Sequence, residues 1–169
     1  LGRMIRMAGI DFERLPDSDF DPLLGDSTGA GVIFGVTGGV MEAALRTVYE
    51  VLTKESLEKI EFDDIRGMAG IKEATINING LDVKIAVAHG TGKARQLLDE
   101  IAAGKREYHF IEIMACPGGC INGGGQPLVD AEVRLKVDVN KERAKALYSE
   151  DRGKVLRKSH ENPSVQYVY

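Results

Sequence analysis

The chain has 169 residues, of which 43% are hydrophobic and 28% are charged, a composition that is ordinary for one globular domain. Its net charge of −4 argues against a nucleic-acid partner, because phosphate binding requires clustered Lys and Arg. No apolar run approaches the roughly 20 residues that a membrane-spanning helix needs, and the N-terminus lacks a signal-peptide pattern. Two cysteines are too few for a disulfide framework. The sequence therefore predicts a cytoplasmic protein with no membrane partner.

The first 35 residues give few regular signals. Residues 1–8 resemble the end of a helix and begin without an initiator Met, so we expect a longer polypeptide whose upstream part packs against this segment. Residues 11–31 contain two prolines and three glycines, which predicts an irregular loop. The apolar run at residues 32–35 predicts a loop or the end of a strand.

A helix is predicted to follow Thr37-Gly38-Gly39. Its apolar residues recur at helical spacing and form one stripe, namely Met41, Ala44, Leu45, Val48 and Leu52. The first N–H groups of a helix lack partners within it. This N-terminus is therefore predicted to suit an anion or a negatively charged cofactor.

A β-hairpin has the clearest signal in the chain. Apolar and polar residues alternate over residues 75–78 and again over residues 81–87. Asn79-Gly80 lies between these runs and is the preferred pair for a tight turn of the primed type. We expect two antiparallel strands joined at this pair.

The second half of the chain indicates an α/β fold. Thr91 is predicted to cap a helix that ends at Gly104, with a buried stripe made of Ala94, Leu97, Leu98 and Ile101. Residues 108–114 predict a buried strand, and a last helix is predicted from about Asn140 to Tyr148. This order favours a mixed or parallel sheet flanked by helices, with the chemistry just beyond the carboxyl ends of its strands.

The segment at residues 112–127 carries the chemical signal. Three residues separate Cys116 from Cys120, and five glycines occupy positions from 118 to 125. Thiolates are the usual ligands of iron–sulfur clusters, and glycine lets backbone N–H groups approach sulfur closely. Zinc is disfavoured because it would need four N or S ligands, while the three histidines lie in different elements. Glu112 is predicted to be structural and hydrogen-bonded to backbone.

The residues alone leave several interpretations of the two cysteines open. They could be metal ligands, small core residues at a strand end, or a local disulfide or redox pair. Because a cubane usually takes four thiolates, metal ligation would require further ligands from outside this chain.

Residues 114–127, MACPGGCINGGGQP, resemble the C-terminal cysteine signature of iron-only (FeFe) hydrogenases. Residues 31–46, GVIFGVTGGVMEAALR, are similar to another stretch of that family, and residues 66–74 and 158–162 extend the likeness along nearly the whole chain. The resemblance implies a catalytic domain of two α/β lobes. Residues 1–169 would be its C-terminal portion, a single α/β unit without the N-terminal lobe.

The resemblance also implies an active-site H-cluster, in which a four-iron cubane is joined to a di-iron unit bearing CO, cyanide and a bridging dithiolate. Cys116 would bind the cubane, and Cys120 would bridge the cubane to the di-iron unit. Met114 would pack beside the di-iron unit, and Phe34 with Gly35 would line its pocket. Cys120 and Met114 are thus the implied catalytic residues.

The implied activity is the reversible oxidation of H2 to protons and electrons, with ferredoxin or a nicotinamide-linked redox subunit as electron partner. Two of the cluster cysteines, the proton-relay cysteine and the cyanide-contacting lysine of the family have no counterpart in the sequence. We therefore expect this chain alone to be inactive.

Two other classes of function compete with this interpretation. One is a non-catalytic, hydrogenase-like protein of iron–sulfur assembly or sensing, which the match at Phe34, Gly35 and Met114 disfavours. The other is a nucleotide-binding module at residues 89–93, HGTGK. That segment lacks the P-loop spacing and its final Ser or Thr, so an ordinary helix-capping turn is expected there.

Overall fold

The computed structural model describes residues 1–19, 25–57 and 61–169; part of the predicted loop, residues 20–24, lies outside them. The helices are α1 Gly2–Met7, α2 Gly29–Ile33, α3 Gly39–Thr53, α4 Thr91–Ala102, α5 Ala131–Lys136, α6 Val139–Gly153 and α7 Pro163–Val168. The strands are β1 Ile71–Ile78, β2 Leu81–His89 and β3 Phe110–Met114. Short 3-10 helices cover Phe12–Arg14, Asp63–Ile65, Cys120–Asn122 and Ser159–Glu161.

The described strands form one mixed sheet in the order β1-β2-β3. β1 and β2 are antiparallel, and their turn residues Asn79 and Gly80 have φ values of 54° and 82°. Both values are positive, as a type I′ turn requires, so the predicted hairpin is confirmed. β2 and β3 are parallel, and α4 provides the long crossover that parallel neighbours need. The predicted α/β class with a mixed sheet flanked by helices is confirmed.

The sheet lies between α3 and α4. Successive residues of β2 point to opposite faces of the sheet, so that each face contacts one of these helices. Ile85 and Val87 pack with Met41 and Leu45 of α3. Ala86 and Ala88 pack on the other face with Leu97 of α4. A third cluster joins the turn before α3, the segment of residues 116–121 (the cysteine segment) and α6 through Val36, Ile121 and Ala144.

A buried ion network fixes α6 to α3. Arg46 Nη1 lies 2.8 Å from Asp151 Oδ1, and Arg46 Nη2 lies 2.7 Å from Glu42 Oε1; all three side chains are fully buried. Arg157 adds a second contact, with its Nη2 2.6 Å from Asp151 Oδ2. Burial raises the pKa of Asp151, but hydrogen bonds from Arg46 and Arg157 outweigh it and leave that pKa below its ordinary value.

Several local predictions are wrong in detail. Residues 32 and 33 belong to α2 rather than to a loop or strand end. Gly90 is the N-cap of α4, and Thr91 is its first residue. Leu98 of α4 is 48% exposed. Phe110 and Ile113 are 42% and 45% exposed, because β3 is an edge of the described sheet.

The predicted helices are confirmed with altered lengths and burial. α1 is a helix with no buried residue. α3 covers the predicted stripe, but Val48 and Leu52 are exposed. The last predicted helix continues to Gly153 as α6, and the sequence did not predict α5 or α7.

Candidate metal centre

The site lies where β2 and β3 end side by side. His89 pairs with Met114 at the end of the parallel ladder, and the Gly90 N–H donates to the Met114 carbonyl at 2.8 Å. The chain then leaves β3 directly into Cys116. The cysteine segment therefore begins at the carboxyl edge of the sheet, where ligand sites of α/β folds lie.

A tight turn returns the chain from Cys116 to Cys120. Gly118 and Gly119 have φ values of 84° and 98°, a region that favours glycine. The Gly119 N–H donates to the Cys116 carbonyl at 2.9 Å, and Cys120 opens a 3-10 helix. Both cysteines are free thiols, with Cys116 half-buried and Cys120 exposed. Their exposure does not fit the interpretation as a pair of buried core cysteines.

Gly119 is the point at which three parts of the predicted site meet. A Cβ added there would lie 2.8 Å from the Gly35 carbonyl oxygen, 2.8 Å from the Thr37 nitrogen and 2.9 Å from Met114 Sδ. Only glycine fits so close an approach. The structure thus brings Gly35, the half-buried Met114 and the cysteine segment together.

Backbone hydrogen bonds tie the cysteine segment to the turn before α3. The Thr37 N–H donates to the Gly118 carbonyl, and the Ile121 N–H donates to the Gly35 carbonyl, each at 3.0 Å. Phe34 directly precedes Gly35 and is 45% exposed. The N–H groups of Gly118, Gly119 and Ile121 are all donated to protein acceptors. These three groups hold the loop in shape.

Glu112 occupies the N-terminus of α3. Its carboxylate accepts from the Gly38 N–H at 2.6 Å and from the Met41 N–H at 2.7 Å. The predicted structural role of Glu112 is confirmed, and the prediction of a free anion site at residues 37–39 is wrong, because this carboxylate is the anion. Lys72 supports the same turn by donating to the Thr37 and Gly67 carbonyls, each at 3.0 Å. Burial lowers the pKa of Lys72 to about 8, against the opposing effect of Glu112.

His89 is a residue of this region that the sequence analysis set aside. Its Nδ1 accepts from the Gly118 N–H at 2.9 Å, and its Nε2 lies 3.2 Å from the Met68 carbonyl oxygen. The sequence signal that could have identified His89 was its position at the end of β2, the strand that pairs with the one leading into Cys116. Gly90 is the N-cap of α4, in agreement with the helix-capping turn expected at residues 89–93, and Lys93 Nζ donates to Gln96 at 3.1 Å.

The donor atoms of the segment suit an iron–sulfur group. Two thiols and the Met114 thioether are soft sulfur donors, and Gly124 and Gly125 have open space around them. The whole chain has two cysteines, half the usual thiolate set of a cubane. Glu50, His160 and Glu161 form a separate cluster of possible metal ligands. There, Lys158 Nζ donates to Glu50 at 2.7 Å and to Glu161 at 3.1 Å, so an ammonium group already supplies the positive charge.

Two family models divide the chain between them. Residues 1–124 match the iron only hydrogenase large subunit, C-terminal domain, and residues 137–169 match the iron hydrogenase small subunit. The junction between them lies after the cysteine segment and includes α5. Within the described ranges, no helix has the length and hydrophobicity needed to cross a membrane.

Relatives agree with these matches. The chain is 54% identical over 169 residues to the NADP-reducing hydrogenase subunit HndD of Solidesulfovibrio fructosivorans, covering 100% of this chain and 28% of that protein. It is 57% identical over 129 residues to the periplasmic Fe hydrogenase large subunit of Nitratidesulfovibrio vulgaris, covering 76% and 31%. A weaker likeness, 32% over 93 residues, connects it to the cytosolic iron-sulfur assembly component 3 of Mus musculus, covering 54% and 19%.

Solved structures show the same fold. FeFe-hydrogenase HydA1 from Chlamydomonas reinhardtii matches with a TM-score of 0.62 and 37% identity, covering 99% of this chain and 48% of that one. Another matched FeFe-hydrogenase, at a TM-score of 0.62 and 38% identity over 99% of this chain and 47% of its own, has an H cluster with a 2Fe subcluster. This chain thus spans less than a third of the two hydrogenase subunits above. The large-subunit model matches residues 1–124, well over half of the chain. The chain therefore belongs to the iron-only (FeFe) hydrogenase family.

Proposed function

We propose that this chain supplies two thiolates to the active-site cluster of an FeFe hydrogenase that catalyses the reversible oxidation of H2 to protons and electrons. The observation that carries the proposal is the packing at Gly119. There the cysteine segment lies against both Met114 Sδ and the Gly35 carbonyl, in a chain of the hydrogenase family.

The proposed ligands have distinct roles. Cys116 would hold the 4Fe-4S cubane of the H-cluster, and Cys120 would hold both the cubane and the di-iron unit. The exposure of Cys120 supports this assignment, since an exposed cysteine is accessible to a group held partly by another segment. When bound, the cluster supplies the redox chemistry and the metal site for H2.

The remaining site residues shape the space around the cluster. Met114 excludes water with a soft thioether that competes weakly for iron. Phe34 and Gly35 line the pocket. Gly35 is itself tightly placed, because a Cβ there would lie 2.9 Å from Leu147 Cδ1 of α6.

The rest of the active site comes from outside residues 1–169, which we propose are the C-terminal portion of the catalytic domain. The coverage of less than a third of two relatives and the half set of thiolates support this. The chain alone is therefore inactive. Ferredoxin or a nicotinamide-linked subunit exchanges electrons with the complete enzyme, and the NADP-reducing relative favours the second. We propose a cytoplasmic location, since two cysteines in 169 residues form no disulfide framework.

A hybrid protein tests this function. In it, this chain replaces the matching 169 residues of the HndD subunit, and hydrogen evolution from a chemically reduced donor is measured under anaerobic conditions. We expect activity in the hybrid and none in this chain alone. Cys120→Ser should remove the infrared CO and cyanide bands, and Cys116→Ser should reduce cubane iron. Hydrogen evolution by the chain alone, or unchanged bands in the Cys120→Ser hybrid, contradicts the proposal.

The likeness to an iron-sulfur assembly component supports one alternative, a non-catalytic protein of iron–sulfur assembly or sensing. The same hybrid separates the two functions. Cubane iron without CO or cyanide bands, and without hydrogen evolution, favours the alternative.

A further inference from the structure

We propose that His89 is a positioning residue for the cysteine segment. Held as the neutral tautomer with its proton on Nε2, it accepts the Gly118 N–H through Nδ1 and so fixes the turn from Cys116 to Cys120. The inference rests on the proposed function, in which these two cysteines bind a cluster.

The two partners of the imidazole determine its tautomer. A backbone N–H can only donate, so Nδ1, which lies 2.9 Å from the Gly118 nitrogen, must present a lone pair. A carbonyl can only accept, so Nε2, which lies 3.2 Å from the Met68 oxygen, must carry the proton. One neutral tautomer satisfies both bonds, whereas the other tautomer and the imidazolium ion satisfy at most one.

The peptide that His89 holds lies midway between the two proposed ligands. Gly118 is buried, and its carbonyl accepts from the Thr37 N–H at 3.0 Å. Both ends of this residue are therefore fixed from outside the turn, one by the segment before α3 and the other by the end of β2. A turn clamped in this way holds its thiolates in one geometry before a cluster arrives, which lowers the cost of binding.

His89 itself is held by the sheet. Its backbone N–H donates to the Gly70 carbonyl at 3.0 Å, and its residue pairs with Met114 in the parallel ladder. The His89 side chain thus links the end of β2 to the cysteine segment. The Met68 carbonyl sets the orientation of the imidazole ring through its contact with Nε2 at 3.2 Å.

Two substitutions separate the two hydrogen bonds. In His89→Asn, the side-chain Oδ1 stands where the imidazole Nδ1 stands, so the bond to Gly118 is kept and the bond to Met68 is lost. In His89→Gln, the terminal amide reaches the place of Nε2, so the bond to Met68 is kept and the bond to Gly118 is lost. His89→Leu removes both bonds at similar size.

The test uses the hybrid with the HndD subunit, loaded with iron and sulfide. The rate at which a chelator removes iron and the midpoint potential of the cubane are measured, together with thermal unfolding as a control for the fold. We expect His89→Asn to behave like the native hybrid. His89→Gln and His89→Leu should lose iron about 10- to 100-fold faster and shift the potential, at similar unfolding temperatures.

The outcomes separate this inference from the proposed function. A native hybrid that takes up no iron overturns both. The inference alone is overturned if the unsubstituted hybrid holds its cluster and all three variants have the same rate of iron loss and the same midpoint potential as that hybrid. Faster loss in His89→Asn than in His89→Gln also overturns it, because Met68 would then be the partner that matters.

Discussion

Replacing Asp151 with Ala should strongly destabilise the fold by breaking the buried ion network between α3 and α6. The Asp151 carboxylate accepts from Arg46 Nη1 at 2.8 Å and from Arg46 Nη2 at 2.9 Å, and from Arg157 Nη2 at 2.6 Å. Its side chain is fully buried, as is that of Arg46. Asp151→Ala leaves two guanidinium groups without the carboxylate they share.

The expected loss is about 3–5 kcal/mol of unfolding free energy, the range for breaking a buried ion pair from one side. With a urea m-value of about 2 kcal/mol/M, the midpoint of unfolding should fall by about 2 M. Urea titration of the 169-residue chain, followed by circular dichroism, measures this shift. Asp151→Asn keeps the shape and one acceptor oxygen, so its loss should be smaller.

An exposed ion pair on the same helix provides the matched control. Lys145 Nζ lies 2.7 Å from Glu142 Oε1, with side chains 62% and 54% exposed. Glu142→Ala should cost at most about 0.5 kcal/mol, because water screens such pairs. If Asp151→Ala costs no more than Glu142→Ala, the network does not fix α6, and the reasoning from burial is refuted.

Three further predictions concern the site. Gly119→Ala should cost about 2 kcal/mol or more, because its Cβ would lie within 3 Å of backbone and Met114; Gly124→Ala, with open space around it, should be nearly neutral in the same urea titration. Glu112→Gln should cost about 1–3 kcal/mol, since one of two buried N–H groups loses its carboxylate acceptor; a neutral result would contradict the capping role. Burial lowers the pKa of Lys72 from 10.5 to about 8, so between these values the unfolded chain binds more protons and stability rises with pH. Lys72→Met should lose that rise between pH 8 and 10, and parallel curves would contradict it.

Local chemistry was enough to predict the hairpin and the order of its neighbours. Asn79-Gly80 specifies a turn with two positive φ values whatever surrounds it. The strand before Cys116 and the helix before it have their own periodicity, so their existence was predictable from neighbours in sequence. The prediction that Thr91 caps α4 was wrong because Gly90 takes the N-cap position. The residue at which α4 begins depends on where β2 ends.

Burial was predicted less well than element type. Phe110 and Ile113 have the apolar pattern of a buried strand, yet they are exposed because β3 has a strand partner on one side only in the described sheet. An apolar pattern indicates which side chains favour burial, whereas the packing of other segments determines whether those side chains are covered.

The sequence by itself determined the α/β class, the turn at Asn79-Gly80 and the segment that carries Cys116 and Cys120, because each depends on residues close together in the chain. Only the tertiary structure decided which distant groups meet. The N–H groups before α3 meet Glu112, 74 residues away from Gly38, and Arg46 meets Asp151 at a separation of 105 residues. The bond from Gly118 to His89 spans 29 residues. Such contacts arise from the register of β2 and β3 and from the packing of α6, which no local pattern encodes.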